Sequence, residues 1–172
     1  TLEEWRRARA LVDEEVAALG VEPVPVGIMI EVPSTALMTG AFAREVDFFS
    51  VGSNDLTQYV LAMDRTHPKL APRVDALHPS ILRLIAHATA GARKHKRWIG
   101  VCGGMASDPQ AVPILMGLGI TELSVSVPMI PTVKALIRSL SLSEAQANAK
   151  KALSMETAAD VRALYPLEDY EL

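Results

Sequence analysis

Apolar positions recur along this chain in two alternating rhythms, a helical one and a short unbroken one. Leu2, Trp5, Val12, Val16 and Leu19 fall on one helical face and Gly20 supplies a left-handed stop, so residues 2–19 are predicted as a surface helix. Val26-Gly27-Ile28-Met29-Ile30 is a continuous apolar run of the kind shown by a parallel strand buried on both faces, and it ends in Glu31. Pro33 fits a first helical turn, and Ala36, Leu37, Gly40 and Ala43 carry helical spacing to about Arg44. A second strand over 46–51 leads into Gly52-Ser53-Asn54-Asp55, where Ser53 or Asn54 reads as the cap of a helix through Tyr59 to Met63.

Residues 64–78 have no clear period and read as a long loop. Pro79 opens a helix with Ile81, Leu82, Ile85, Ala88 and Ala92 inward, and the cations of Arg93-Lys94-His95-Lys96-Arg97 suit its C-terminus. A third strand over 98–102 precedes Gly103-Gly104 and a helix from Asp108-Pro109 to about Gly119. A fourth over 122–127 is followed by a helix over about 131–140 and two capped helices starting near Ser143 and Thr157. Four βα units in sequence predict a parallel sheet whose strand C-terminal ends share one face, bringing Glu31, Asn54, Asp55 and Cys102 together. The expected class is α/β. Open α/β sheets and closed barrels both carry their ligand site on that face. A closed (β/α)8 barrel takes eight strands and about 250 residues, and this chain has about half, so the expectation is half of such a TIM-type barrel, with added C-terminal helices.

Composition narrows the function. At 49% hydrophobic, 172 residues suffice for one sizeable core, so 1–172 are expected to form a single domain. A net charge of −3 with interspersed signs gives no footprint for nucleic acid. No apolar stretch reaches the ~18 residues of a membrane span, and the charged opening Glu3-Glu4-Trp5-Arg6-Arg7 is unlike a signal peptide, so a cytoplasmic protein is expected. The helical pattern that starts almost at Thr1 suggests a piece of something longer.

Several residues are candidates for chemistry. Glu31 and Asp55 end consecutive strands and would form a pair of hard oxygen ligands suited to Mg²⁺; the plain readings are an exposed strand end and a capping turn. Asn54 either orients a ligand carboxylate or caps a helix. Arg65 forks onto a phosphate or pairs with Asp64 on the surface. The lone cysteine, Cys102, packs in an apolar strand or, as a thiol mostly protonated at neutral pH, gives a proton to carbon. His67, His78, His87 and His95 lack metal-site spacing, and the seven methionines read as core filler.

Taken together, Gly27-Ile-Met-Ile-Glu31-Val-Pro33, Asp47-Phe-Phe-Ser-Val-Gly52-Ser-Asn54-Asp55-Leu-Thr-Gln-Tyr59, Asp64-Arg65 and Cys102-Gly-Gly-Met-Ala106 resemble the C-terminal barrel of Enzyme I. That is the phosphoenolpyruvate-protein phosphotransferase of the bacterial sugar phosphotransferase system. The resemblance extends to about Tyr165. It implies that Glu31 and Asp55 hold Mg²⁺, Asn54 and Asp55 meet the substrate, Arg65 binds its phosphate, and Cys102 protonates the pyruvate enolate. It further implies phosphoryl transfer to a histidine on a separate domain absent from this chain, then to the phosphocarrier protein HPr or an HPr-like domain, and a homodimeric parent.

Enzyme I proper usually has glutamate where this chain has Gly104. The Cys-Gly-Gly form, with Val125-Ser-Val-Pro-Met-Ile-Pro-Thr-Val-Lys134, looks more like the Enzyme I section of fructose-type multiphosphoryl transfer proteins. Related dikinases and synthases generally follow the cysteine with Gly-Gln-Gly-Pro-Ser, which Gly103-Gly104-Met105-Ala106 does not match. The family's other phosphate-binding arginines come from earlier strands, so the isolated half is expected to be inactive alone. Two rival readings are a non-catalytic assembly module, since half-barrels expose sheet edges, and a metal-dependent 2-oxo acid lyase that needs no Arg65.

Overall fold

The computed structural model describes residues 1–167. Helix α1 (Leu2–Leu19) starts with a reciprocal capping box between Thr1 and Glu4 and ends at Gly20 with φ 62°. It lies on the surface: Trp5 is buried, whereas Leu11 and Leu19 are exposed. Four strands follow, β1 (Ile28–Ile30), β2 (Phe48–Gly52), β3 (Trp98–Cys102) and β4 (Glu122–Leu123). They are parallel and lie in the order β1-β2-β3-β4. The helices are α2 (Pro33–Leu37), α3 (Thr39–Phe42), α4 (Ser53–Leu61), α5 (Pro79–Lys94), α6 (Ala111–Leu118), α7 (Ile130–Ser139), α8 (Leu142–Ala152) and α9 (Ala158–Arg162). Sequential parallel strands with helical crossovers are the build of one half of a barrel wall, as expected.

The sheet is covered on one face only. Phe49, Val51, Ile99 and Val101 share a core with Ile81, Leu82 and Ile85 of α5 and are at most 2% exposed. On the other face Met29 is 46% and Trp98 41% exposed. The run 26–30 is therefore not buried on both faces, because Met29 points to this exposed side. Phe48 and Trp98 stack on this uncovered face with ring centroids 4.4 Å apart, against Gly27, where any side chain would strike the Phe48 ring.

Three predicted elements differ. The helix expected over 33–44 breaks at Met38, where the Thr39 hydroxyl donates to the carbonyls of Thr35 and Ala36 and diverts the turn. The short α3 that results crosses α5 at a close glycine contact, Gly40 on Gly91. β4 is two residues long, not six: beyond Leu123 a single further ladder bond, Ser124 N–H to Val101, is made before Val127-Pro128-Met129 turns into a 3-10 helix. Helix α4 begins at Ser53 with Gly52 as its N-cap and no side-chain cap, so neither Ser53 nor Asn54 caps it. No helix among the described residues is long and apolar enough to cross a membrane.

Candidate functional site

Glu31, Gly52 and Cys102 lie in adjacent register across the C-terminal ends of β1, β2 and β3, since Ile30 pairs Val51 and Gly52 pairs Cys102. The Glu31 side chain leans over Gly52: a Cβ there would sit 2.8 Å from Glu31 Oε2 and 2.9 Å from Met29 Sδ. Glycine at 52 is thus what admits the carboxylate to this row. Cys102 is half-buried, its Sγ 3.7 Å from Ser50 Oγ, 3.5 Å from the Val51 carbonyl oxygen and 3.7 Å from Met29 Sδ.

Ser53 and Asn54, freed from capping, tie the first turn of α4 to the loop after Cys102. The Ser53 hydroxyl donates to the Cys102 carbonyl at 2.6 Å, and the Gly104 N–H donates to Asn54 Oδ1 at 3.0 Å. With its oxygen so engaged, the amide of Asn54 is left with its N–H donors for anything above the sheet. Gly103 has φ +85°, and a Cβ on it would meet Ser53 Oγ at 2.6 Å and Asn54 Oδ1 at 3.0 Å. At Gly104 a Cβ would make only ordinary contact, 3.5 Å from Asn54 Oδ1. Position 104 therefore tolerates a side chain and position 103 does not.

Arg65 does not pair with Asp64. Its guanidinium lies on Asp55, Nη2 to Oδ1 3.1 Å and Nη1 to Oδ2 3.4 Å, and its backbone N–H donates to Gln58 Oε1 at 3.2 Å. Asp64 instead accepts from the Thr66 hydroxyl and N–H, which hold its carboxyl below the usual range. The two side chains of the Arg65–Asp55 pair are 42% and 36% exposed, so the pair contributes under about 1 kcal/mol and opens readily. Among the described residues no group of three or more His, Cys, Asp or Glu side chains is arranged to hold a metal. Two carboxylates are nonetheless a sufficient protein contribution for Mg²⁺, which keeps several waters and takes further oxygens from a phosphorylated substrate.

Of the predicted residues, the fold brings Glu31 and Cys102 to one sheet end, links Asn54 to the Cys102 loop and joins Arg65 to Asp55. None of the four histidines enters this group: His78 caps α5, His95 ends it, His87 faces the Leu37 carbonyl, and His67 accepts from the Lys69 N–H. Two clefts of about 190 and 220 Å³ lie elsewhere, beside β4 and at the opposite ends of β3 and β4. Ser50, Gly52 and Ser53 were not foreseen as site residues. The signal was strand parity, which places positions 50 and 52 on the face of Cys102.

Residues 1–142 match the family of the PEP-utilising enzyme, PEP-binding domain, and the chain belongs to that family. It is 48% identical over 163 residues to a multiphosphoryl transfer protein of Rhodobacter capsulatus, covering 95% of this chain and 20% of that protein. It is 54% identical over 148 residues to the multiphosphoryl transfer protein of Xanthomonas campestris pv. campestris, with 86% and 18% covered. With a phosphoenolpyruvate-protein phosphotransferase of Geobacillus stearothermophilus it shares 43% over 167 residues, 94% of this chain and 29% of that protein. The chain thus spans less than a third of each of these relatives. A solved citrate lyase from Burkholderia xenovorans has the same fold, with TM-score 0.57 and 18% identity, covering 91% of this chain and 56% of that one.

Proposed function

We propose that this chain is the C-terminal half of the phosphoenolpyruvate-binding barrel of a phosphoenolpyruvate-protein phosphotransferase, in the form found in fructose-type multiphosphoryl transfer proteins. The observation that carries this reading is the grouping of an acidic, an amide and a thiol side chain at the C-terminal ends of β1–β3, with Asp55 and Arg65 on the adjoining α4 and its following turn. The chemistry asks for such a set. When the bond between the phosphorus and the bridging oxygen of phosphoenolpyruvate breaks, the phosphoryl group passes to a histidine of another domain, and from there to HPr or an HPr-like domain. Pyruvate enolate stays behind.

Each side chain then has a role. Arg65 leaves Asp55 and forks onto the phosphate. The Asn54 amide donates to the enolate or carboxylate oxygen. Cys102 delivers its S–H proton to the methylene carbon, where the enolate electron pair forms the new C–H bond of pyruvate. Glu31 and Asp55 would hold Mg²⁺, which supplies positive charge for the enolate oxygens. On this reading 1–172 belongs to one domain, the histidine that receives the phosphoryl group belongs to another, and the parent is a cytoplasmic homodimer serving sugar uptake.

Calorimetric titration with oxalate, an enolate mimic, tests the site directly. Binding is expected only with Mg²⁺ present and is expected to vanish in Asp55→Ala. A folded chain that binds oxalate equally well without Mg²⁺ or without the Asp55 carboxylate would remove the reading.

A further inference from the structure

Three polar atoms approach Cys102 Sγ, and they are not chemically alike. The Val51 carbonyl oxygen at 3.5 Å and Met29 Sδ at 3.7 Å only accept hydrogen bonds. The Ser50 hydroxyl, 3.7 Å away, is the one group of the three that can donate. The first two therefore favour the thiol, whose S–H they receive, and the third favours the thiolate. A cysteine that gives up its proton to carbon passes from the first condition to the second within one turnover.

Strand packing explains why Ser50 is free to do this. Met29, Ser50, Gly100 and Glu122 form one row across the four strands on the uncovered face. Gly100 carries no side chain, and a Cβ there would press on Glu122 at 3.3 Å. Nothing on β3 at that level therefore blocks Ser50, which reaches diagonally to Cys102, two residues further along β3. Its hydroxyl has no other hydrogen-bond partner among the described residues. The charged groups around this end are Glu31 just past β1, Glu122 on β4, Asp55 on α4 and Arg65 beyond it. None of them hydrogen-bonds to Sγ among the described residues.

We propose that Ser50 is a positioning residue for Cys102, donating its hydroxyl to the sulfur and supporting the thiolate left after proton delivery. This rests on the reading of Cys102 as the proton donor. In the step, the S–H proton goes to the enolate carbon, the S–H electron pair stays on sulfur, and Ser50 O–H turns fully toward that charge. Water then returns a proton to the sulfur.

The chain has one cysteine, so thiol–disulfide exchange with a small aromatic disulfide reads this sulfur alone. In Ser50→Ala, loss of the donor lowers the thiolate fraction at pH 7, and exchange is expected to slow roughly three- to tenfold. At strongly alkaline pH, where bulk hydroxide and not the donor governs formation of the thiolate, the unsupported sulfur is the better nucleophile, and the same variant is expected to react about threefold faster. Ser50→Thr, which keeps the hydroxyl, is expected to restore both rates. A change in access alone moves the two rates in the same direction, so a crossover with pH separates hydrogen bonding from packing. Rates that move together, or not at all, overturn the proposal. Oxalate titration of the wild-type chain keeps the outcomes distinct: its failure to bind removes the enolate-site reading, while absence of the crossover removes the role of Ser50.

Discussion

Asp55 stands between two cations, a guanidinium that already holds it and a metal that the proposed chemistry brings. Under the proposed role of Asp55, Arg65 and Mg²⁺ compete for the same oxygens, so removing the arginine has opposite effects on the two ligands. Arg65→Ala is expected to tighten Mg²⁺ binding by about two- to fivefold, the size of a half-exposed ion pair released from competition. The same variant is expected to weaken binding of a phosphorylated ligand such as phosphoenolpyruvate. Parallel titrations check both signs, and Mg²⁺ affinity that falls would show that Arg65 does not compete. At this scale much was legible. Glu31 and Cys102 are placed by strand parity, and Asn54 and Asp55 by their position just past an apolar run, in the first turn of α4. The partner of Arg65 was not legible, because Asp64 is adjacent in the chain while Asp55 lies one helix away and turns back only through the C-terminus of α4, at Ala62 with φ 52°.

Among the elements, α9 does more than its five residues suggest. Arg162 donates through Nε and Nη2 to both oxygens of Asp75, at 2.8 and 2.9 Å, and through Nη1 to Asp108 at 3.0 Å and Gln110 at 2.8 Å. It thereby ties the loop that follows Arg65 to the segment that follows Cys102, although α9 lies beyond residue 142, where the family match ends. Burial alone would raise the Asp75 carboxyl, but the hydrogen bonds from Arg162 and the Leu77 N–H, with the arginine charge, outweigh it and hold it below the usual range. A depressed carboxyl stabilises the fold above its unfolded pKa of about 4, and this contribution is lost as pH falls through the lower folded value. Thermal midpoints are therefore expected to drop on acidification below about pH 4, with a shallower acid limb in Asp75→Asn. At pH 7, Arg162→Met is expected to cost about 2 kcal/mol, some 4–8 °C, given that nearly a third of each partner remains in solvent. An unchanged midpoint in that variant would make the network incidental. The four strands and most helices were legible, but the division of the 33–44 helix into two and the end of β4 were not. The break at Met38 depends on a threonine hydroxyl choosing carbonyls over solvent, and the length of β4 depends on a neighbouring strand.

The whole molecule has two unlike faces, and its two tryptophans sample them. Trp5 is 8% exposed under α1, whereas Trp98 is 41% exposed on the uncovered side of the sheet. Acrylamide is expected to quench one emission component strongly and the other weakly, and Trp98→Phe is expected to remove the accessible one. Two equally protected components would mean that the uncovered face is closed in solution. The sequence alone determined the number, order and direction of the βα units and the end of the sheet at which polar side chains gather. These follow from local periodicity, turn residues and the fixed hand of crossovers, which short stretches of chain encode. Tertiary structure decided which face of each strand is covered, why position 103 must be glycine and how glycine at 52 makes room for Glu31, and that Ser53 and Asn54 hold the Cys102 loop instead of capping a helix. Each of those outcomes depends on atoms that meet only when distant segments pack, such as the Glu31 carboxylate over Gly52 and the Ser53 hydroxyl against Gly103.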